Sequence, residues 1–391
     1  MKKKIAFVTG PMIMGGIEKA LITLLENIQT DKYDVTVYVT SKNGALVSFL
    51  PSYVKVKCIF GPEESLREMM WNRMKKGKFL SAFTVSFNTW RISKTKSRFE
   101  QDRLYSRMLP IDKETFDVAI AYYSPVTLPV IYTIKNIKAK KKIAWIHSDV
   151  YFFEELLRKY ERYYRKFDQI QCVSDYVRQR FLQIFPYFHS KTSVFYNMTD
   201  RQKIIKQGNE GEGFSDSFTG FRIVTVGRVA KEKGQDIIPP VLAKLKEEGF
   251  TVRWYVIGDG HLKKELEEMI QQYRLENHLF LLGEKNNPYP FIKDCDLYVQ
   301  PSRHESYCIS VAEARIFHRP IVITNTGARE QIRNGETGVI VDFDEEALVD
   351  GIRRILTDKK LREKLEQNLM LEMVDTSGEI NKFDTLTDFA S

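Results

Sequence analysis

The chain of 391 residues lacks any run of eighteen apolar residues, so we expect no transmembrane helix. The first apolar run, after three lysines, is too short for a signal peptide and leads directly into a glycine turn, so we interpret it as a strand. Four cysteines are present, and none has the spacing of a metal or redox site. These absences predict reduced thiols and a cytoplasmic protein.

Length and charge indicate two domains of different character. A chain this long exceeds one typical core and fits two α/β domains, and 43% hydrophobic and 28% charged residues are ordinary for a globular protein. Up to Asn197 there are 33 Lys and Arg against 18 Asp and Glu, a net charge of +15. The remainder has 27 against 33, a net charge of −6. A basic first domain favours an anionic partner.

Short β-branched or aromatic runs recur along the chain, with helical stretches between most of them. In the first half they are Ile5–Thr9, Val35–Val39, Val54–Phe60, Val118–Tyr122, Ile143–Ile146, Gln169–Val173 and Ser193–Tyr196. In the second half they are Arg222–Val226, Arg253–Ile257, Leu279–Leu282, Leu297–Val299, Ile321–Ile323 and Val339–Val341. This pattern is typical of α/β proteins with parallel, doubly wound sheets. We predict two Rossmann-like domains, 1–197 and 221–372, joined by a linker at 198–220 and facing a central cleft.

Two glutamates flank one predicted strand-to-helix turn. Glu305 lies between the strand ending at Gln300 and a helix predicted over Ile309–Phe317, and Glu313 lies eight positions on, within that helix. In open α/β sheets such turns bind anions, because helix N-termini offer unpaired N–H groups. Two carboxylates there would repel a phosphate unless each faced hydroxyls. Ligands that carry both hydroxyls and phosphates are nucleotides and nucleotide sugars.

Basic residues and a possible metal motif accompany this turn. Arg228 and Lys233 follow the first strand of the second domain, where fixed cations would suit two phosphates. Asp294 and Asp296 have the D-x-D spelling of a metal site, but they lead directly into a buried strand. We interpret them as a turn and expect no metal.

In the first domain, Gly15 and Gly16 follow the first strand, and His147 lies just past another. The glycines either let a ligand approach the backbone or form a tight turn that needs positive φ. Their spacing is not G-x-G-x-x-G and no acid follows the second strand, which counts against a dinucleotide oxidoreductase. A lone histidine at such a position is more often incidental.

A basic segment with recurring aromatics spans Arg67–Arg107. It contains eleven Lys and Arg residues against three acids, and aromatic side chains recur at helical spacing. The aromatics are Phe79, Phe83, Phe87 and Trp90. Such a helix either lies on an anionic membrane or lipid-linked acceptor, or packs its aromatics onto the sheet with solvated charges. Both interpretations remain open.

Taken with its flanks, the second-domain pattern resembles the donor site of retaining GT-B glycosyltransferases of family four. Those flanks are Pro320-Ile-Val, Gly327-x-x-Glu330 and Gly335-x-x-Gly338, with Gly227-Arg228…Lys233-Gly234 upstream. The resemblance implies that Arg228 and Lys233 clamp the donor diphosphate, that Glu313 holds the ribose and that Glu305 contacts the sugar. It also implies phosphate-facing N–H groups at Cys308 and Ile309, and base contacts near Gly258 and Lys285.

The resemblance extends to both ends of the chain. It implies that Gly15 and Gly16 face the donor phosphate and the acceptor, that His147 lies near the transferred sugar, and that 373–391 crosses back to the first domain. The chain departs from the pattern where Ser306-Tyr307-Cys308 replaces Gly-Phe-Gly and where Ala328 replaces a frequent glycine. These changes predict a reshaped sugar pocket.

The function implied is a retaining transfer of a hexose from a nucleotide-diphosphate sugar to a glycan acceptor, without a metal or other cofactor. The departing diphosphate would help deprotonate the acceptor. The basic first domain favours a lipid-linked acceptor in bacterial capsule or exopolysaccharide synthesis, with peripheral attachment to the inner face of the membrane. Two alternatives stay open: a sugar-nucleotide epimerase of the same fold, and a non-catalytic nucleotide-sugar-binding partner subunit.

Overall fold

The computed structural model describes residues 2–13, 15–61, 65–372, 376 and 378–388. Part of the predicted C-terminal segment, at 373–375, 377 and 389–391, therefore lies outside the described residues. The chain divides into two compact units, Met1–Tyr196 with Gly378–Ser391, and Asn197–Ser377. Within the described ranges, no helix combines the length and apolarity needed to cross a bilayer.

The first unit is built on a seven-stranded parallel sheet. Its strands are β1 (Lys3–Val8), β2 (Tyr33–Val39), β3 (Lys55–Cys58), β4 (Thr115–Ser124), β5 (Lys138–Ile146), β6 (Gln169–Cys172) and β7 (Thr192–Val194). Its helices are α1 (Gly16–Asn27), α2 (Leu66–Lys75), α3 (Phe79–Lys94), α4 (Arg98–Met108), α5 (Leu128–Lys135), α6 (Glu154–Tyr164) and α7 (Asp175–Ile184). The strand order β3-β2-β1-β4-β5-β6-β7 reverses direction between β1 and β4.

The second unit is built on a six-stranded parallel sheet. Its strands are β8 (Phe221–Val226), β9 (Val252–Ile257), β10 (Leu279–Leu281), β11 (Leu297–Gln300), β12 (Ile321–Thr324) and β13 (Val339–Val341). Its helices are α8 (Arg201–Glu210), α9 (Ile238–Glu247), α10 (Lys263–Gln272), α11 (Tyr289–Asp294), α12 (Ile309–Ile316), α13 (Glu345–Thr357) and α14 (Lys359–Leu371). The strand order β10-β9-β8-β11-β12-β13 reverses between β8 and β11.

The second sheet is covered on both faces, which explains its nearly continuous apolar strands. Successive residues Trp254 and Tyr255 on β9 enter two different hydrophobic clusters, and so do Leu297 and Tyr298 on β11. Alternate side chains of a strand point to opposite faces, so both faces of a parallel sheet need apolar residues. Every predicted strand is present, with ends shifted by at most a few residues, and the α/β doubly wound class is confirmed.

The segment predicted as a linker, 198–220, is instead part of the second unit. Its residues 201–210 form α8, whose Ile204 packs with Ile316 of α12. Gly208 lies so close to Phe317 that a Cβ there would be 2.7 Å from the ring. The glycine-rich sequence misled the prediction because here glycine permits close packing between helices rather than flexibility.

The end of the chain packs on the first unit as α15 (Glu379–Thr387). Phe383 stacks on Phe7 at 6.1 Å between ring centroids and meets the ring of Tyr33 edge-on at 5.6 Å. The Tyr33 hydroxyl donates to Asp384 at 2.7 Å. A fully buried Phe383 therefore anchors this helix.

Candidate functional site

The loops that follow β8 and β11 are fixed against each other at the point where the strand order of the second sheet reverses. Arg303 donates to both oxygens of Asp236, at 2.5 and 2.6 Å, and its backbone N–H donates to the carbonyl of Glu232 at 2.9 Å. Gly234 has φ of +68°, and a Cβ there would collide with the carbonyl of Pro301. In open α/β sheets, ligands bind at this reversal, outside the carboxyl ends of the strands.

Lys233 and Glu305, one from each loop, form an ion pair. Lys233 Nζ lies 2.7 Å from Glu305 Oε1, with the two side chains only 22% and 6% exposed. The same carboxylate oxygen accepts from Ser302 Oγ at 2.8 Å. Behind it, Gln300 Nε2 donates to Ser302 Oγ at 2.9 Å, and Tyr298 OH donates to Gln300 Oε1 at 2.8 Å. A chain of buried polar groups thus holds Glu305 in one position.

Sequence reasoning missed Tyr298, Gln300 and Ser302 as members of this network. The signal was present, because residues at i, i+2 and i+4 of a strand lie on one face. Gln300 and Ser302 are buried polar side chains at the end of an otherwise apolar, buried segment. Buried polar groups need hydrogen-bond partners, so such a row indicates a network and not a plain core strand.

Electrostatics keep Lys233 charged. Burial lowers the pKa of an ammonium group, but the adjacent Glu305 carboxylate outweighs burial, and the pKa of Lys233 is raised above its usual value. The pair therefore presents a cation and a carboxylate side by side. Such a pair suits a ligand that brings both negative charge and hydroxyl groups.

Arg228 lies on the same loop as Lys233 but in a different environment. Its side chain is 60% exposed, and its Nη2 donates to Glu232 Oε1 at 2.8 Å. The charge of Arg228 acts on Lys233 and opposes the effect of Glu305 on its pKa. The structure therefore brings both predicted cations to one loop, with Lys233 held in the buried network and Arg228 at its exposed edge.

Cys308 and Ile309 lie at the start of α12. Cys308 precedes the helix with φ of 66° and ψ of 87°, a left-handed conformation that costs a residue with a Cβ about 1–2 kcal/mol. Its carbonyl accepts from Gln331 Nε2 at 3.1 Å. Burial, and secondarily Glu305, raises the pKa of the Cys308 thiol to about 12, so it is not a nucleophile near neutral pH. Cys308, which replaces a glycine of the family pattern, thus puts a buried thiol where the backbone favours glycine.

Glu313 lies on the second turn of α12 and is buried. The hydroxyl of Tyr289 donates to Glu313 Oε1 at 2.9 Å. Burial, together with the carboxylate, raises the pKa of Tyr289, so its hydroxyl stays protonated and acts as a donor. Tyr289 thus fixes the orientation of the Glu313 carboxylate.

Gly258 and Lys285 follow β9 and β10. Gly258 has φ of +144°, and a Cβ there would collide with the carbonyl of Gly227 in the loop after β8. Its N–H donates to the carbonyl of Gly283 at 2.8 Å. These contacts bring the ends of β8, β9 and β10 together, with Lys285 exposed just beyond them.

In the first unit, Gly15 and Gly16 start α1 without positive φ. Gly15 has φ of −168° and ψ of 163°, which is extended backbone. The alternative of a tight turn that requires positive φ is therefore wrong. A Cβ at Gly15 would instead collide with the carboxylate of the buried Glu18. The backbone at Gly15 is therefore one that any residue can adopt, and a side chain there would require Glu18 to shift.

His147 follows β5 and is buried against Tyr122, with 4.3 Å between ring centroids. Burial lowers the pKa of His147 to about 3, so the imidazole is neutral. Its Nε2 has no hydrogen-bond partner within the part of the chain that the structure describes. A neutral imidazole nitrogen can exchange a hydrogen bond with a hydroxyl group of a ligand.

The aromatic side chains of α3 do not pack onto the sheet. Phe79, Phe83, Phe87 and Trp90 are 47–68% exposed, and the last three stack in a row with centroids 6.2 and 5.9 Å apart. The opposite face of the helix is the buried one, through Ala82, Val85 and Asn88. The interpretation of the aromatics as core is therefore wrong. We call these aromatics, with exposed Trp71, Met74, Leu80, Lys75, Lys76 and Lys78, the α2–α3 surface.

Asp294 and Asp296 have structural contacts. Asp294 ends α11, and the Asp296 carboxylate accepts the backbone N–H of Arg222 at 2.8 Å, next to the start of β8. Across the described residues, no group of three or more His, Cys, Asp or Glu side chains is placed to hold a metal ion.

Comparison with known proteins gives the family of the second unit and the fold of the whole chain. Residues 217–370 match the family described as glycosyl transferases group 1. An N-acetylgalactosaminyltransferase of Campylobacter jejuni, acting on N-acetylgalactosamine-N,N'-diacetylbacillosaminyl-diphospho-undecaprenol, is 30% identical over 54% of this chain and 57% of its own length. The capsular polysaccharide biosynthesis glycosyltransferase CapM of Staphylococcus aureus is 29% identical over 38% of this chain and 40% of its own length.

Among solved structures, Anabaena Alr3699/HepE in complex with UDP is 18% identical and covers 100% of both chains with a TM-score of 0.70. Similarity at this level of identity establishes the fold. The two sequence relatives are matched over less than two thirds of their own lengths. The activities that their names state are therefore not assigned to this chain by similarity alone.

Proposed function

The chain belongs to the group 1 glycosyltransferases with the GT-B fold, and from this we propose that it transfers a hexose, with retention, from a nucleotide-diphosphate sugar to a glycan acceptor. One observation carries the proposal. Lys233 and Glu305 form a buried ion pair at the strand-order reversal of the second sheet, and Glu313 lies eight residues further on. This arrangement supplies a cation for phosphate and two separate carboxylates for hydroxyl groups.

The charges of the site fit the departure of a nucleoside diphosphate. Negative charge grows on the leaving group as the bond to the sugar breaks, and a preorganised cation stabilises it most in the transition state. Lys233 is held in place by Glu305, and Arg228 adds a second cation on the same loop. These side chains would take the part that a metal ion plays in other phosphate sites, and we expect chelation of metals to leave the rate unchanged.

The carboxylates have separate roles in this proposal. Glu305 faces the sugar and stabilises positive charge at its anomeric carbon. Glu313, whose Oε1 accepts from Tyr289, holds the ribose hydroxyls. The departing diphosphate accepts the proton of the acceptor hydroxyl on the same face, which gives retention. In the first unit, the neutral imidazole of His147 is suited to a hydrogen bond with a sugar hydroxyl.

The proposed acceptor is a lipid-linked glycan of bacterial capsule or exopolysaccharide synthesis, reached by peripheral attachment to an anionic membrane surface. The support is of two kinds. The named substrate of the Campylobacter relative is linked to diphospho-undecaprenol, and CapM is named for capsular polysaccharide. The α2–α3 surface combines exposed aromatics with lysines, the composition of a segment that lies on an anionic bilayer.

The test of the donor is thermal unfolding with UDP-, GDP- and TDP-sugars. A ligand at 100 times its Kd stabilises the folded state by about 2.7 kcal/mol, so the cognate donor should shift the melting temperature clearly. Analysis of products with the donor alone separates transfer from epimerisation, since an epimerase needs no acceptor. If no nucleotide sugar in the panel stabilises the protein, the proposed function is wrong.

A further inference from the structure

Three consecutive exposed aromatic residues begin four positions after His147. Tyr151, Phe152 and Phe153 are 57%, 51% and 37% exposed on a short 3-10 turn, Val150–Phe153, whose first residue is fully buried. We call Tyr151–Phe153 the aromatic turn. An aromatic ring buries roughly 150–250 Å² when covered, so three neighbouring, partly exposed rings leave apolar surface that a ligand can cover.

The aromatic turn is held rigidly. The Asp149 carboxylate accepts the backbone N–H of Tyr151 at 3.0 Å and the hydroxyl of Tyr176 at 3.0 Å. The guanidinium of Arg180 lies 4.8 Å from the Tyr151 ring centroid and 5.2 Å from that of Tyr176. A ring fixed in this way loses little conformational entropy when a ligand stacks on it.

Its position is that of a ligand site. The turn follows the end of β5 and so lies at the carboxyl edge of the sheet. β5 neighbours β4, and the strand order of the first sheet reverses between β4 and β1. Only three residues separate Tyr151 from the buried His147, whose Nε2 has no partner among the described residues. A pyranose has an apolar C–H face and a rim of hydroxyls, so an exposed aromatic ring on a loop that also carries hydrogen-bonding groups suits it.

We propose that the aromatic turn binds a sugar ring of the glycan acceptor, with the pyranose face on the ring of Tyr151. The ring of Phe152 stands at 87° to that of Tyr151, with 5.7 Å between centroids, and would contact the side of the same sugar. This inference rests on the proposed function and specifies its acceptor subsite. Charge favours a sugar over a bilayer here, because the charged residues around the turn balance. The three acidic residues are Asp149, Glu154 and Glu155, and the three basic residues are Arg158, Lys159 and Arg180. Glu154 forms an ion pair with Arg158, and Glu155 forms one with Lys159.

The chain contains a matched control. Tyr187 is 51% exposed, lies on the 3-10 turn Pro186–Lys191, and has the guanidinium of Arg165 at 4.7 Å from its ring centroid. It repeats the chemistry of Tyr151 but precedes β7 instead of following a strand. It therefore lies at the amino edge of the same parallel sheet, where no substrate is expected.

The experiment is saturation-transfer NMR of the full chain with maltotetraose, the tetrasaccharide of N-acetylglucosamine, and methyl α-N-acetylgalactosaminide. Wild type should bind at least one of these probes, and Tyr151→Ala and Phe152→Ala should weaken that binding tenfold or more. Tyr187→Ala should bind like wild type. Unchanged melting temperatures verify that the variants fold, as expected for half-exposed side chains.

Three outcomes of the saccharide measurements overturn the inference: no probe binds the wild type, the turn variants bind as well as wild type, or Tyr187→Ala loses as much. Loss of vesicle binding without loss of saccharide binding would make the turn a lipid contact and also overturns it. Nucleotide-sugar stabilisation, measured on the same samples, separates the two proposals. If it persists while saccharide binding fails, only the subsite is wrong; if it is missing from the wild type, the proposed function is wrong.

Discussion

Lys233 Nζ and Glu305 Oε1 lie 2.7 Å apart, on two loops that leave different strands of the second sheet. Each residue is the other's charge partner, so neither can be changed without affecting its neighbour. Removing one member of a buried ion pair leaves an uncompensated charge and typically costs about 3–5 kcal/mol. The pair therefore links the stability of the second unit to the groups proposed to bind the donor.

We expect Lys233→Met to lower both stability and activity. Glu305 then lacks its cation, and the free energy of unfolding should fall by about 3 kcal/mol, while kcat/KM should fall roughly 100-fold because a cation at the leaving group is lost. Chemical denaturation and steady-state kinetics measure the two effects. Adding Glu305→Gln should restore much of the stability but none of the activity.

The control for this substitution is Lys231→Met. Lys231 begins the short 3-10 turn Lys231–Lys233 that ends at Lys233, but its side chain is exposed. Its stability and kcat/KM should match those of the parent. Equal kcat/KM in Lys233→Met and the parent would contradict the assignment of Lys233 to the diphosphate.

The paired glutamates should separate nucleotide binding from turnover. Glu313→Ala removes the proposed ribose contact and should weaken binding of the free nucleoside diphosphate. Glu305→Gln releases Lys233 from its partner and should leave that affinity equal or stronger, while kcat falls because charge at the anomeric carbon is no longer stabilised. Calorimetric titration of UDP into both variants decides, and equal losses of affinity would show the division to be wrong.

Strand positions were predictable because a parallel sheet covered on both faces requires apolar runs, and each such run is a strand here. The pairing of Lys233 with Glu305 was not predictable, because the two residues are 72 positions apart in the sequence. Only the strand order brings their loops together. Composition also failed for the glycine-rich stretch after Tyr196 and for the aromatics of α3. The glycines pack closely against neighbouring residues, and the helix α3 turns its aromatic side to solvent. A count of residue types contains neither piece of information.

Burial of His147 should make stability depend on pH. Its pKa is lowered to about 3 in the folded protein, against about 6.5 when unfolded, so between these values the unfolded chain binds the extra proton. Stability is therefore lost as pH falls below 6.5, by up to about 1.4 kcal/mol per pH unit. Between pH 7.5 and 5.0 the wild type should lose roughly 2 kcal/mol more than His147→Gln.

The measurement is urea denaturation of both proteins at each pH, because groups unaffected by the substitution cancel in the difference. His189→Gln, which removes an exposed histidine, serves as the control. Parallel stability curves for wild type and His147→Gln would mean that His147 is not buried as described.

The α2–α3 surface should attach the protein to anionic membranes. Each Lys or Arg close to an anionic bilayer contributes about 1 kcal/mol, and the attraction decays over a Debye length of about 8 Å at physiological salt. Three or four engaged lysines would therefore give salt-sensitive binding. The wild type should sediment with anionic vesicles at low salt, be released at high salt, and remain in solution with neutral vesicles.

Two sets of lysine variants separate the effect of charge on the α2–α3 surface from the effect of net charge. Replacing Lys75, Lys76 and Lys78 by Glu should abolish sedimentation and leave hydrolysis of the donor in solution unchanged, because these side chains are exposed and lie in the first unit. The control replaces Lys264, Lys359 and Lys360, equally exposed on α10 and α14, by Glu. It changes net charge by the same amount and should sediment like wild type.

The exposed aromatic side chains of α3 should also contribute to membrane binding. Phe83 and Trp90 are 68% and 57% exposed, so Phe83→Ser and Trp90→Ser should not disturb the fold. Rings that enter the membrane interface add apolar burial to the electrostatic attraction, and their removal should weaken binding even at low salt. If the wild type stays in the supernatant with anionic vesicles at low salt, the surface does not bind membranes, and the argument for a lipid-linked acceptor loses its structural support.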